Sequence, residues 1–247
     1  PFYHSFFLFN AFFLVLTSFS LSEILTLKTF AKTSEVVKII IHTLILLLIS
    51  VTSYVLTPYD SPALFLFAIT VFFTLKYFEE RKPQQLIFIS ALIFISTLNR
   101  ETSSLNIAFL GALFLNKEIL KKEKLQKFIR IIALPVFTFL LAYISVRIFM
   151  KTDEATVSEG IYLVQNLTKP NNILGILFFI IFIRWSQKIS SSQQNIGKIS
   201  AFLLLCSPYL LMILMVGILW EIRLFIPIIF GIILLSQMNF EEDTKMD

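Results

Sequence analysis

The feature that most constrains this chain is a succession of apolar runs long enough to cross a bilayer. Phe2 to Ser22, Ile39 to Leu56, Ala63 to Phe78 and Ile131 to Met150 each approach the ~20 residues that a membrane-spanning helix needs. Ser200 to Leu219 is as long, while Leu86 to Leu98, Leu105 to Leu115, Ile173 to Trp185 and Leu224 to Leu235 are shorter. Composition agrees: 57% of the residues are apolar, only 15% are charged and the mean hydropathy is +0.83, which leaves too little polar surface to cover a soluble globule. The chain reads as an all-α, polytopic integral membrane protein. A cytosolic enzyme, a disordered chain and a disulfide framework are excluded, the last because Cys206 is the only cysteine.

Charge orders the runs. Leu86 to Leu115 reads either as one long kinked helix or as two helices meeting at Asn99-Arg100-Glu101-Thr102. If every run crosses, 16 of the 21 basic residues fall in connections on one side, and only Arg100, Arg147, Lys151, Lys169 and Arg223 on the other. Fusing the broken pair would put basic loops on both sides, against the positive-inside rule. The expectation is therefore a bundle of about nine spans, several short or broken at the outer face, with the C-terminus in the cytoplasm. Residues 1–240 form one transmembrane domain, and 241–247 a cytoplasmic tail. The formal charge of +5 reports orientation, and no nucleic-acid partner is implied. Because the chain starts at Pro1 and enters the membrane from the outer side, an earlier helix and outer loop are expected to be missing from its N-terminal part.

Two connections carry further signals. Asn116 to Arg130, with six basic and two acidic residues, reads as an orientation signal touching anionic lipid. In the outer stretch Lys151 to Asn172, Thr156-Val157-Ser158-Glu159 has capping-box spacing before an apolar stripe at Val157, Ile161, Val164 and Leu167, which suggests a short helix lying on the outer leaflet. Asn166-Leu167-Thr168 matches the glycosylation sequon, a three-residue pattern that is common by chance. Pro135 and Pro227, inside spans, read as kinks. His4 and His42 fall on opposite sides, so no His-based metal site is expected.

The charges that need an explanation gather at the outer ends of short helices: Asp60 in Tyr59-Asp60-Ser61-Pro62, Arg100 and Glu101 in the Asn99 to Thr102 break, and Glu221 and Arg223 in Trp220-Glu221-Ile222-Arg223. An unpaired charge near the bilayer centre costs about 2.5–3.5 kcal/mol on insertion scales, so such groups pair or line a wet cavity. One reading is a single outer polar pocket made of all five. The other is three separate turns whose charges pair locally, with Asp60 capping the helix that carries Pro62 in its first turn.

These three segments, with Glu221-Ile222-Arg223-Leu224-Phe225-Ile226-Pro227 as the third, resemble a group of bacterial polytopic membrane proteins similar in arrangement to GT-C glycosyltransferases. The resemblance covers roughly residues 55–235. It implies a location in a bacterial inner (cytoplasmic) membrane and transfer from a polyprenyl-phosphate-linked sugar donor at the extracytoplasmic face, by a protein whose partners are that donor and membrane lipid. Arg100 and Arg223 would then hold the phosphate, and Asp60, Glu101 or Glu221 would serve catalysis, positioning the acceptor hydroxyl or a divalent cation. The acidic residue that GT-C enzymes usually carry in their first outer loop has no counterpart here. A multi-span transporter or flippase, or a non-catalytic membrane subunit, are the alternatives.

Overall fold

A computed structural model describes residues 2–52, 59–115, 122–149, 162–217, 219 and 221–240. Among them the fold is all-α: α1 (Phe2–Thr26), α2 (Glu35–Thr52), α3 (Asp60–Glu80), α4 (Pro83–Asn99), α5 (Ser104–Phe114), α6 (Lys122–Phe149), α7 (Leu163–Thr168), α8 (Pro170–Lys188), α9 (Gln193–Leu205), α10 (Ser207–Val216) and α11 (Ile226–Gln237). Local chemistry sets several boundaries. Arg81 ends α3 in the left-handed conformation (φ 57°), its N–H donating to the Tyr77 carbonyl, and Pro83 opens α4 immediately after. The Ser192 hydroxyl caps α9 by accepting from the Asn195 N–H at 3.2 Å.

Length supports part of the nine-span reading. By length and apolar composition, four of the described helices can each cross a membrane: α1, α2, α3 and α6. A fifth crossing is available if α9 and α10, bent by 48° at Cys206, act as one span. The run Ser200 to Leu219 is thus broken near its middle, where Pro208 stands in the first turn of α10 without an N–H to continue the α9 ladder. The short helices α5 and α11 have 11 and 12 residues, only about 16–18 Å at ~1.5 Å per residue. Pro227 is likewise no kink; it occupies the first turn of α11. Pro135 does lie inside a continuous α6.

Burial sorts the helices into layers. Every residue of α11 from Ile226 to Ser236 is buried, the pattern of a helix surrounded on all sides. Phe202 of α9 meets Phe109 of α5 edge-on at 5.8 Å, and a Cβ on Gly231 of α11 would come within 2.7 Å of the Phe202 ring, so glycine is what lets α11 approach. By contrast α1, α6 and α8 present Phe7, Phe12, Phe19, Phe137, Ile144, Leu177 and Ile181 to the surroundings. An apolar core surrounded by outward-facing phenylalanine, leucine and isoleucine suits a lipid environment.

Polar contacts concentrate at two poles. At one, the Thr29 N–H donates to Glu79 Oε1 at 2.7 Å, Thr33 Oγ1 to the Gln237 carbonyl at 3.0 Å, and Lys198 Nζ to the Leu113 carbonyl at 2.6 Å. Arg81 sits there over the Phe78 and Phe114 rings, at 5.1 and 4.4 Å. At the other pole lie the starts of α3 and α11, the α4–α5 break and the ends of α6 and α10. The capping-box tetrapeptide, Asn116 to Lys121, Trp220 and the tail 241–247 fall outside the described residues.

Candidate functional site

At this second pole the three charged segments converge. Asp60, the first residue of α3, reaches two arginines at once: Oδ1 meets Arg100 Nη1, and Oδ2 accepts from Arg223 Nη1 at 2.9 Å. Arg223 also donates to Glu221 Oε2 from Nε at 3.2 Å and Nη2 at 3.0 Å. The Asp60 carboxylate turns to the two arginines, and the Tyr59 side chain at the start of α3 makes no capping bond. Two guanidinium groups offer far more to a buried carboxylate than a backbone N–H does. The network joins residues 163 positions apart, and with two cations and two anions it is neutral.

Glu101 takes another partner. Its Oε1 accepts from Arg147 Nη2, at the end of α6, at 2.5 Å, and both side chains are nearly half exposed. The structure therefore brings four of the five site candidates, Asp60, Arg100, Glu221 and Arg223, into one network and places Glu101 in a separate pair beside it. Arg100 is held by more than charge: its guanidinium lies 5.4 Å from the Tyr59 ring centroid, and the Asn99 amide donates to the Tyr59 carbonyl at 3.0 Å. Burial pulls the Arg100 pKa down, with Tyr209, Tyr59 and Glu221 opposing and Arg223 reinforcing that pull; the guanidinium still stays charged.

Two adjoining cavities flank the network. The smaller, about 30 Å³, is lined by Asp60, Arg223, Asn10 and Thr52 among others and has room for an ordered water. The larger, about 540 Å³, lies within the range of small-molecule sites and is lined by Tyr59, Asn99, Glu101, Val146, Met212, Ile213, Val216 and Gly217. Arg100, Thr102, Tyr209 and Leu224 line both. The larger cavity thus has a polar side, with Arg100 and Glu101, and an apolar side supplied by α10 and α6. Among the described residues no three His, Cys, Asp or Glu side chains come together as a metal-ligand group.

Two contributors had no functional signal in the sequence. Tyr209 is buried and donates to the Leu224 carbonyl at 3.1 Å, which ties α10 to the residue after Arg223. Asn166, 1% exposed, donates from Nδ2 to the carbonyls of Leu214 (2.9 Å) and Gly217 (2.8 Å), while its Oδ1 accepts from Asn172 Nδ2 (3.0 Å) and the Leu219 N–H (3.3 Å). In the fold this amide is therefore engaged at both ends. Val164 and Leu167 of the same short helix are exposed. His42 meets Ser18 between α1 and α2 at 3.0 Å, and Cys206 is buried at the α9–α10 bend. Comparison with known proteins found no match to this chain among family models, curated proteins or solved structures.

Proposed function

We propose that the protein is an integral membrane transferase of the GT-C type, which moves a sugar from a polyprenyl-phosphate carrier to an acceptor hydroxyl at the extracytoplasmic face. The reading takes the arginine pole as extracytoplasmic and the Lys198 pole, with the C-terminus, as cytoplasmic, from the 16-to-5 split of basic residues. In it the short helices cross together with the long ones, giving the nine passes that length alone does not license.

The observation that carries the proposal is Asp60 holding Arg100 and Arg223 together beside a 540 Å³ cavity with one polar and one apolar side. Arg223 directs three of its five N–H groups at carboxylates, leaving two among the described residues for an incoming anion. Arg100, at the boundary of the two cavities, meets the phosphate first. Arg223 supports it from the smaller chamber, and the isoprenoid chain lies along Met212, Ile213 and Val216. In the transfer the bond between the sugar's anomeric carbon and the phosphate oxygen breaks, and the bond to the acceptor oxygen forms. Negative charge grows on the departing phosphate, where preorganised guanidinium groups stabilise it. Asp60 and Glu221 are held in the buried arginine network, whereas Glu101 lines the larger cavity and its partner, Arg147, is nearly half exposed, so Glu101 is the carboxylate placed to receive the acceptor's proton or to hold a divalent cation.

The test is transfer of radiolabel from a polyprenyl-phosphate sugar by the purified full-length protein in lipid nanodiscs. Label in an acceptor, lost in Glu101→Gln with folding intact, supports the assignment; donor that binds without turnover favours a non-catalytic subunit. The 48° bend between α9 and α10 favours a transporter or flippase as the second reading, since discontinuous helices build such sites. Movement of the lipid-linked sugar across sealed proteoliposomes, without transfer, would select it.

A further inference from the structure

We infer that Asn166 is a positioning residue for the apolar side of the large cavity, a role that rests on reading this cavity as a lipid-phosphate site. Helix α10 has ten residues, follows a 48° bend and ends at Val216, so its last carbonyls have no partner within the helix. Four residues that line the cavity, Met212, Ile213, Val216 and Gly217, lie in that last turn or directly after it. What holds the end of α10 is α7. Asn166 Nδ2 binds the Leu214 and Gly217 carbonyls, and the Tyr162 N–H binds the Met215 carbonyl at 2.8 Å. Asn166 Oδ1 fixes Leu219, two residues before Glu221. One buried amide thus closes the helix end. No ordinary C-cap does this here, because Gly217 is in extended conformation (φ −84°, ψ 167°) and its own N–H reaches only Ile213.

The wall that Asn166 holds is apolar, and the charges that meet a phosphate are anchored elsewhere, on Asp60. The two halves of a lipid phosphate should therefore respond differently. In the full-length protein in nanodiscs, Asn166→Ala weakens binding of polyprenyl monophosphate about tenfold, the scale of a displaced helix end and two lost buried hydrogen bonds. Inorganic phosphate, measured as a competitor, keeps its wild-type affinity. Arg100→Lys weakens both. A second readout needs no ligand: Cys introduced by Met212→Cys, in a protein whose only native cysteine is buried, is labelled by a membrane-impermeant maleimide at least threefold faster in the Asn166→Ala background.

Wild-type labelling together with wild-type lipid affinity in Asn166→Ala overturns the inference, and equal losses for lipid and inorganic phosphate overturn it as well. If Arg100→Lys changes neither affinity, the lipid-phosphate reading has failed, and the labelling rate alone decides whether Asn166 positions α10. Should Asn166→Ala fail to fold, Asn172→Ala, which removes one bond to Asn166 Oδ1 and one to the Gln165 carbonyl, shifts the same two readouts in the same direction by a smaller factor; no shift in either refutes the role.

Discussion

Replacing Asp60 by Asn removes the charge on which the second pole is organised. Asp60 holds Arg100 and Arg223, and the three side chains are only 18–24% exposed. Removing one partner of a fully buried pair costs about 3–5 kcal/mol, because the other charge stays buried without compensation. Here Arg223 keeps Glu221, so Arg100 carries most of the loss, and a fifth of each group is still in contact with solvent. The lower end applies: about 3 kcal/mol, or somewhat over a hundredfold in the unfolding equilibrium constant. Equilibrium unfolding of the full chain in mixed detergent micelles, followed by circular dichroism, measures it. The Asp60→Asn/Arg100→Gln double variant should recover much of the stability, because no buried charge is left alone, and the cycle reports the coupling directly. A loss below about 0.5 kcal/mol in Asp60→Asn, with purely additive double variants, would falsify the network as the organiser of this pole.

Glu101→Gln breaks a pair that is nearly half exposed, so its effect on the same unfolding measurement should stay within about 1 kcal/mol; a loss comparable to that of Asp60→Asn would mean that Glu101 belongs to the structural network. At Gly231, substitution by Ala places a methyl 2.7 Å from the Phe202 ring and should cost about 1–3 kcal/mol. Restoration by Phe202→Leu checks that the cost is steric. A reporter fused after Lys122 should be cytoplasmic and one inserted between Thr152 and Gly160 extracytoplasmic; finding both on one side removes the alternating topology.

The charged segments were legible because the bilayer makes polar residues conspicuous. Asp60, Arg100, Glu221 and Arg223 stand at the ends of apolar runs, and the alternation of those runs puts them on one face before any contact is known. Their pairing was not legible. Adjacent Arg100 and Glu101 invite a local pair, yet Arg100 reaches back 40 residues to Asp60 and Glu101 reaches forward 46 to Arg147, which the sequence places on the outer side without naming a partner. Run lengths separated the helices of span length from the short ones, but hydropathy does not register a bend: Cys206-Ser207-Pro208 interrupts an unbroken apolar stretch. Asn166 drew notice as a sequon, whereas its role in the fold comes from carbonyls some 50 residues away. Tyr209 offers no sequence signal among so many aromatic residues. The helical class followed from composition and run length, which depend on the solvent; side-chain partners depend on the tertiary arrangement.

The most direct test of the central claim is the affinity of polyprenyl monophosphate for the full-length protein in nanodiscs, compared among wild type, Arg100→Lys and Arg223→Lys, with polyprenol as the uncharged control. A planar guanidinium can grip phosphate through two N–H groups at once, and an ammonium of equal charge cannot. Saturable binding by the wild type, at least tenfold weaker binding by both Lys variants with folding intact, and no specific binding of the alcohol are the expected results. Equal affinity in all three proteins, or equal binding of phosphate and alcohol, would contradict the arginine site and leave Arg100 and Arg223 as residues that hold the helices together.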